Sequence, residues 1–321
     1  MTAAFAVRFD MRRAPFAEVT EAEQYAESVA MARWADARGV AAVTVSEHHG
    51  VDFVSAPVAH AAAIVGATTN ARVMVNALLI TLHDPVRLAE ALATLDLTSG
   101  GRFTIVAGLG YRHEEFEMAG VDRSTRGRLA EEYLEVLRAA WTGDEFEWRG
   151  RRVRVTPTPA SPIEQVVWVG GSVRRSAERA ARLRLPFFTM SVDPAVGDAY
   201  RAACAEHDYD GIFMAPFGPM FVHVAEDPDR AWSEIAPYAL YDVQSYASWQ
   251  TGDQDNPHAI DVATADDLRA SGAWLVVTPD ECEDLVRRNG SVALHPLMGG
   301  MPTAMGWESL ELFVDAVLPR L

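Results

Sequence analysis

Two short stretches of the sequence carry residue types that could take part in chemistry. The first is Ser-Glu-His-His at residues 46–49, where a carboxylate and two imidazoles follow an apolar run. Because histidine titrates near neutral pH, this stretch could supply an acid or base, a metal site or a hydrogen-bonded scaffold. The second is Gly-Gly-Ser at residues 170–172, which joins an apolar run to a stretch rich in alanine and charge. Its glycines could form a plain tight turn, or they could let a phosphate approach free N–H groups at a helix start.

The elements that position these residues follow from a regular alternation of apolar runs and amphipathic stretches. Strands are predicted at residues 3–9, 41–45, 72–80, 102–108, 165–169, 187–190, 219–227 and 291–296. The amphipathic stretches between them carry helix signals, such as the capping box of Thr20 and Glu23 and the start at Asp84 and Pro85. Strands that alternate with helices pair in parallel through right-handed crossovers. The predicted fold class is therefore α/β, a closed (β/α)8 TIM barrel with insertions, and an open doubly wound sheet is the alternative.

Two segments interrupt the alternation. Residues 145–157 are predicted to form a β-hairpin that turns at Arg149 and Gly150. Residues 245–266 are polar and rich in turn formers, which predicts a lid-like insertion. Because α/β barrels commonly reach this length as one domain, residues 1–321 are predicted to form a single barrel domain.

The composition excludes some classes of partner. The chain has 321 residues and a formal net charge of −17 at pH 7, whereas binding to nucleic acids or anionic membranes needs a basic face. The two cysteines, Cys204 and Cys282, lie far apart without metal-site spacing, which favours a reducing compartment. The first residues lack the layout of a signal peptide, and no run of about 18 apolar residues could cross a membrane. We therefore expect a cytoplasmic protein without nucleic-acid or membrane partners.

In an α/β barrel the active site lies at the carboxyl ends of the strands, and this rule selects the candidate residues. Those ends carry Asp10, Glu47, His48, His49, Asn76, Ala77, Gly108, Leu109, Gly110, Tyr111, Arg112, Gly170, Gly171, Ser172, Ser191, His223 and His295. Since adjacent residues of an extended chain point to opposite sides, only one of His48 and His49 is expected to face the barrel mouth. A metal-dependent hydrolase that uses Glu47, His48 and His295 is one alternative interpretation.

Other features indicate that the chemistry comes from a bound organic cofactor. The sequence has no Gly-x-Ser-x-Gly elbow, P-loop or Gly-x-Gly-x-x-Gly fingerprint, and so no dedicated nucleophile or nucleotide motif. Glu114 and Glu115 follow the fourth predicted strand, and we interpret both as a solvated helix start rather than catalytic groups.

Three stretches of the chain together resemble the bacterial luciferase-like flavin-dependent oxidoreductases. They are residues 46–121, the Trp-Val-Gly-Gly-Ser at residues 168–172, and the closing residues 295–319. The resemblance extends over nearly the whole chain and is weakest at residues 213–270. It implies a (β/α)8 barrel that binds reduced FMN or the deazaflavin coenzyme F-420 at the strand ends.

The resemblance also implies roles for particular residues. The cofactor-binding residues are expected to be Asn76 and Ala77 against the isoalloxazine ring, Leu109 and Gly110 in the strand-four turn, and Gly170, Gly171, Ser172 and Val173 around the phosphate. The residue matching His48 faces the reacting ring, so His48 is the predicted catalytic residue, with His49 or His295 assisting.

One position departs from the family pattern. FMN-dependent members often carry an arginine near the phosphate, in a Gly-x-Gly-Arg-Gly-Tyr pattern, and here Leu109 stands in its place. Either Arg112, Arg174 or Arg175 supplies the missing cation, or the cofactor is the deazaflavin.

The predicted function is that of an oxidoreductase or monooxygenase that uses the reduced cofactor on a small organic substrate. With FMN the substrate is oxygenated, and with the deazaflavin a hydride is transferred. The expected partners are the small-molecule substrate, a separate flavin reductase and a second copy of the chain in a homodimer. A non-catalytic flavin-binding protein on the same barrel is the competing interpretation.

Overall fold

The computed structural model describes residues 4–215, 218–219, 221–249 and 260–321. The strands are β1 (Ala4–Phe9), β2 (Ala42–Val45), β3 (Arg72–Leu79), β4 (Phe103–Gly108), β5 (Phe146–Trp148), β6 (Arg151–Val153), β7 (Val167–Gly170), β8 (Phe187–Phe188), β9 (Phe213–Met214), β10 (Phe221–Val224), β11 (Trp274–Val277) and β12 (Ser291–Leu294). The α-helices are α1 (Glu21–Asp36), α2 (Pro57–Ala67), α3 (Pro85–Ser99), α4 (His113–Ala119), α5 (Arg126–Trp141), α6 (Ile163–Val166), α7 (Arg174–Arg182), α8 (Pro194–Glu206), α9 (Pro228–Ser248), α10 (Ala265–Ser271), α11 (Pro279–Asn289) and α12 (Thr303–Leu312).

The order of the strands identifies the fold class. One sheet runs β11-β10-β12-β1-β2-β3-β4-β7-β8-β9, and its neighbouring strands pair in parallel. The first strand pairs with the last, β12, and the next strands then follow in chain order. An open doubly wound sheet instead reverses its order at a switch point. The structure therefore confirms the predicted (β/α)8 barrel and excludes the open sheet.

The strands separate two apolar layers because their side chains alternate between faces. In β3, Val73 and Val75 belong to the main core, which the helices cover. Met74 belongs to a different apolar cluster. In β4, Ile105 and Val106 divide between the same two layers. The second layer lies on the barrel's interior face, and ligands of this fold bind at the carboxyl ends of its strands.

Two strands were not predicted from the sequence. β9 has two residues, which is too short for a period-two pattern to show. β11 has four residues and begins shortly after Gly272, and it pairs with β10 on the side away from β12. It lies beyond the eight strands that the alternation indicates.

The structure contains the predicted hairpin and describes part of the predicted lid. β5 and β6 pair antiparallel, and Arg149 and Gly150 between them both have positive φ, as tight hairpin turns require. α9 extends to Ser248 and α10 begins at Ala265, while residues 250–259 of the predicted lid lie outside the described residues. The lid and the single-domain organisation stay predictions.

Two observations bear on the expected location of the protein in the cell. No helix in the described part of the chain is both long and apolar enough to cross a membrane. Cys204 and Cys282 are both free thiols and both are buried.

Candidate active site

His48 lies just after β2, inside a buried cluster of aromatic side chains. His48 as a whole residue is 6% exposed. Its Nδ1 atom is 2.7 Å from Oε1 of Glu115, and its Nε2 atom is 3.4 Å from the hydroxyl of Tyr111. The ring centroids of Phe53 and Trp249 lie 4.8 and 4.9 Å from that of His48. The imidazole is thus held by one carboxylate and enclosed by rings.

These contacts define the proton chemistry of His48. Burial lowers its pKa, although the neighbouring carboxylate of Glu115 raises it in part, so the imidazole is neutral at pH 7. With a carboxylate as acceptor, Nδ1 carries the proton and Nε2 presents a lone pair. His48 can therefore accept a proton at Nε2, and Glu115 stabilises the imidazolium that forms.

Glu115 corrects an expectation from the sequence, because it is not a solvated residue. It is 1% exposed, and its Oε1 atom also accepts hydrogen bonds from the His49 amide at 3.0 Å and from Nη1 of Arg112 at 3.3 Å. Glu114 is exposed, as expected. The two glutamates are adjacent on α4, so they face different directions. The next residue, Phe116, is apolar and buried, and it is the sequence signal that could have indicated a buried Glu115.

Glu47 and His49 form a second group, in which their side chains bond each other. Oε1 of Glu47 is 2.8 Å from Nε2 of both His49 and His83, and its Oε2 accepts the amide of Leu79 at 2.5 Å. Burial would raise the pKa of Glu47, but the hydrogen bonds from His49 and His83 hold it at about 2. The same bond to Glu47 raises the pKa of His49. This group ties the end of β2 to the end of β3.

Arg12, which the sequence did not indicate, is the largest fully buried side chain among the described residues. Its Nη1 atom lies 2.5 Å from the carbonyl oxygen and 3.0 Å from Oδ1 of Asp242 in α9, and its Nη2 atom is 3.4 Å from Oδ2 of Asp10. The guanidinium carbon lies 4.1 and 5.3 Å from the ring centroids of Tyr246 and Trp249. Burial would lower the pKa of Arg12, but Asp242 and Asp10 raise it. Arg12 thus anchors the loop after β1 to the last turns of α9.

Asp10 joins this network to the end of β12. Its Oδ1 atom is 3.5 Å from Nε2 of His295. Burial would raise the pKa of Asp10, but His295 and then Arg12 lower it below its usual value. His223 on β10 is also buried, and burial lowers its pKa to about 4. We refer to the whole group as the polar cluster; its members are Asp10, Arg12, His48, Tyr111, Arg112, Glu115, Asp242, Tyr246, Trp249 and His295.

The strands on the other side of the barrel carry an apolar cluster at their ends. It consists of Val106, Trp168 and Phe188, which are buried, with Met74, Ala77, Met190 and Met214, which are partly exposed. The peptide between Asn76 and Ala77 is cis, and the register of β3 on β4 shifts between Asn76 and Leu78. Both predicted ring-binding residues, Asn76 and Ala77, are partly exposed, and Ala77 packs against this apolar cluster.

The Gly-Gly-Ser turn follows β7, and its glycines are explained by close contacts. Gly170 and Gly171 have ordinary negative φ angles, since neither is among the residues with positive φ. A Cβ atom on Gly170 would lie 2.8 Å from Cγ1 of Val106, and one on Gly171 would lie 2.4 Å from Ser176. Because Val106 belongs to the apolar cluster, the turn and the cluster are in direct contact.

The helix after this turn begins without a side-chain cap. Val173 is the N-cap residue of α7 and its side chain makes no capping hydrogen bond. Ser172 is partly exposed and Val173 is exposed. The first amides of an uncapped helix of this length point outward and carry partial positive charge. The start of α7 is therefore suited to an anion such as a phosphate.

The remaining predicted residues lie as follows. Leu109 packs against the main core, and Gly110 has a φ of +75°. Arg112 donates to the carbonyl of His49 at 2.7 Å and belongs to the polar cluster. Arg174 donates to Glu178 at 2.7 Å, and Arg175 is exposed on the first turn of α7, so both lie close to the Gly-Gly-Ser turn in the chain.

The hydrolase alternative requires Glu47, His48 and His295 to form one site. Within the described ranges, no group of three His, Cys, Asp or Glu side chains is arranged to hold a metal ion. Glu47 instead bonds His49 and His83.

The comparisons with known sequences agree with this architecture. The family model described as luciferase-like monooxygenase matches residues 8–293. A 4-hydroxyprotoasukamycin monooxygenase of Streptomyces nodosus subsp. asukaensis is 29% identical over 90% of this chain and 85% of its own length. An FMNH2-dependent dimethylsulfone monooxygenase of Pseudomonas fluorescens is 30% identical over 50% of this chain. The chain spans 46% of the length of that relative and 28% of an uncharacterized Mycobacterium tuberculosis protein, to which it is 40% identical over 80 residues, or 25% of this chain.

Solved structures share the fold along the whole chain. A monooxygenase from Streptomyces bottropensis has a TM-score of 0.80 at 22% identity and covers 99% of both chains. The oxygenating component of 3,6-diketocamphane monooxygenase from Pseudomonas putida, in complex with FMN, has a TM-score of 0.73 at 17% identity, over 100% of this chain and 99% of that one. An F420-dependent secondary alcohol dehydrogenase has a TM-score of 0.70 at 16% identity, over 99% and 98%.

Proposed function

The chain belongs to the luciferase-like monooxygenase family, and from this premise we propose that it is an oxidoreductase acting on a small organic substrate with a reduced flavin-type cofactor, FMN or the deazaflavin coenzyme F-420. One observation carries the proposal. The apolar cluster, which suits a flat ring, contacts the end of β7 through Val106 and Gly170, and the turn that begins there leads into the uncapped start of α7, which suits a phosphate.

The residues present fit such a cofactor. A ring needs an apolar surface with open edges, and Met74 and Ala77 offer one because both are partly exposed. The side chain of Asn76 makes no hydrogen bond within the part of the chain that the structure describes, so its amide is available to a polar ring edge. A phosphate needs N–H donors, and the amides around Ser172 and Val173 at the start of α7 supply them. Leu109 and Gly110 would border the site at the end of β4.

The chain's own residues would bind, orient and move protons. When bound, the reduced cofactor supplies two electrons, for oxygenation in the case of FMN or as a hydride in the case of the deazaflavin. His48 would hold or accept a proton at Nε2, and Glu115 keeps Nδ1 protonated through the 2.7 Å hydrogen bond. The rings of Phe53, Tyr111 and Trp249 exclude water from this imidazole, which strengthens its interactions.

Titration of the protein with each cofactor tests the proposal. We expect reduced FMN or reduced deazaflavin to bind with a saturable change in fluorescence, and Leu109 in place of the family arginine favours the deazaflavin. Binding of neither cofactor in either redox state would overturn the proposal. Oxidation of the bound cofactor in the presence of an acceptor separates an enzyme from a non-catalytic flavin-binding protein.

The proposal extends to partners and location. A protein that consumes reduced FMN needs a separate flavin reductase to supply it, and the family resemblance supports a homodimer. The two free, buried thiols support a reducing compartment, the cytoplasm. Size-exclusion chromatography with light scattering would test the dimer.

A further inference from the structure

A groove between α5, α7 and α8, helices that cover the outside of the barrel, is rich in arginine. Its volume is about 450 Å³, which falls within the range of about 300–1,000 Å³ that is typical of small-molecule pockets. Four arginines of α7 contribute to its lining, namely Arg174, Arg175, Arg179 and Arg182. The residues that line it do not include the Gly-Gly-Ser turn. The groove is therefore separate from the expected site of the cofactor phosphate.

Arg179 is the buried member of this set. Its side chain is 6% exposed, and its Nε atom has no hydrogen-bond partner among the described residues. That atom lies 3.7 Å from Oε2 of Glu131 on α5, which is too far for a hydrogen bond. A buried donor without an acceptor costs free energy. Because Arg179 lines the groove, an acceptor that enters the groove can satisfy this donor.

The charges around Arg179 do not balance. Glu131 pairs with it, but Oε1 of the same carboxylate also lies 2.7 Å from Nη2 of Arg182. Burial lowers the pKa of Arg179, Glu131 raises it, and the positive charges of Arg182 and Arg175 lower it again. Three guanidinium groups thus share one carboxylate, and positive charge is in excess on this side of the groove.

The other side of the groove is already supplied with negative charge. Nε of Arg174 donates to Oε1 of Glu178 at 2.7 Å, and Glu178 and then Glu206 raise the pKa of Arg174. The remaining lining includes small apolar residues of α8, namely Ala199, Ala202 and Ala203. We therefore expect an anion beside α5 and an uncharged part of the ligand along α8.

We propose that this groove binds a phosphate group, held by Arg179 and Arg182 with Arg175 at its edge. A phosphate carries about −1.5 to −2 charges at pH 7, which offsets the excess of positive charge. Guanidinium groups bind phosphate oxygens through paired N–H donors, so the Nε atom of Arg179 gains an acceptor. The groove is larger than a phosphate ion, and a phosphate ester is the expected form. The site lies outside the barrel and does not depend on the proposed function.

Calorimetric titration of the protein with inorganic phosphate and with phenyl phosphate tests the proposal. We expect saturable binding of both probes. Arg182→Gln should weaken it at least about tenfold, because one cation is lost and Glu131 is left to Arg179 alone. Glu131→Gln should strengthen it, because the competing carboxylate is removed. Arg201→Gln is the matched control, since Arg201 is exposed on α8 and pairs with Asp198, and it should change neither affinity.

The two probes distinguish the source of the phosphate. Tighter binding of phenyl phosphate would identify an ester as the ligand, and equal affinities would identify free phosphate. Both results support the site. Arg182 is exposed and Glu131 is partly exposed, so both variants are expected to fold, and circular dichroism checks this.

Ser172→Asp separates the groove from the Gly-Gly-Ser turn, where a phosphate is also expected. Binding to the groove should persist in this variant. Loss of binding in Ser172→Asp together with full binding in Arg182→Gln would assign the phosphate to the turn and overturn the proposal. The proposal is also overturned if neither probe binds, or if Glu131→Gln weakens binding. These titrations need no flavin, so their failure leaves the flavin proposal standing, and failure of flavin binding leaves the groove site intact.

Discussion

The two sides of the barrel mouth are built in opposite ways. The apolar cluster comes from successive strands, and its members, such as Met74 and Val106, follow from side-chain alternation. The polar cluster depends on pairs distant in sequence, such as Arg12 with Asp242, which lie 230 residues apart. Buried charges are costly unless each is paired, so the polar cluster retains its charges only because partners arrive from several elements. The packing of the apolar side depends on side-chain volume, whereas the arrangement of the polar side depends on the balance of buried charges. We expect proton chemistry on the polar side.

The largest effect is expected from His48→Ala on the polar side. Because His48 is the proposed proton acceptor, its removal should cut turnover by roughly 10²-fold or more. It should spare cofactor affinity, because the phosphate is expected at the start of α7. Single-turnover decay of the reduced cofactor measures the change. His49→Ala is the matched control and should act mainly on stability through its bond to Glu47. If His49→Ala were the inactive variant, the roles of the two histidines would be reversed.

The apolar side should respond to added volume. Gly171→Ala would place a Cβ atom 2.4 Å from Ser176, and such overpacking typically costs about 1–3 kcal/mol of unfolding free energy. Urea denaturation measures it. Ser176→Gly removes the clashing atoms, so Gly171→Ala combined with Ser176→Gly should recover much of the loss. No recovery would mean that the glycine is needed for another reason.

A negative charge in the Gly-Gly-Ser turn should lower cofactor affinity without lowering stability, which distinguishes an effect on binding from an effect on packing. Ser172→Asp places a carboxylate beside the expected phosphate, so cofactor affinity should fall at least tenfold, about 1.4 kcal/mol. The same carboxylate near a helix N-terminus should raise stability slightly, by about 0.3–1 kcal/mol. Thr303→Asp is the matched control, because α12 also begins there without a side-chain cap. Equal affinity in Ser172→Asp and the unsubstituted protein would remove the phosphate from this turn.

The smallest effect concerns the pH dependence on the polar side. The carboxylate of Glu115 raises the pKa of His48 against the effect of burial, so Glu115→Gln should lower that pKa further. Activity that needs neutral His48 is lost as the pH falls through its pKa. The acid limb of the pH–rate profile should therefore move to lower pH in Glu115→Gln. Glu114→Gln, at the exposed neighbour, should leave the limb in place. A shift to higher pH would contradict the assignment of His48 as a base.

Most of the fold could be predicted from local patterns. Alternation predicted eight strands and the hairpin, and the resemblance to the luciferase-like family is confirmed. The choice between barrel and open sheet depended on the pairing of β12 with β1, which no local pattern shows. β9 and β11 were missed because they are short or lie outside the alternation.

The site was only partly predictable. Strand ends indicated Asp10, His48 and His295, because a parallel barrel collects its strand ends on one side. Arg12 was missed, since an arginine in a loop is normally solvated and only Asp242, far along the chain, makes its burial possible. The wrong interpretation of Glu115 has the same cause.

The hydrogen bonds of Glu47 constrain how the sequence of this protein can change during evolution. Its single carboxylate holds His49, His83 and the amide of Leu79, so two strand ends share one set of hydrogen bonds. A substitution at His83 therefore alters the support of the residues next to His48, although His83 lies in another element. Mutational effects at positions 47, 49 and 83 should be strongly epistatic, so that a change tolerated in one genetic background is harmful in another, and a survey of double substitutions would reveal it as non-additive losses.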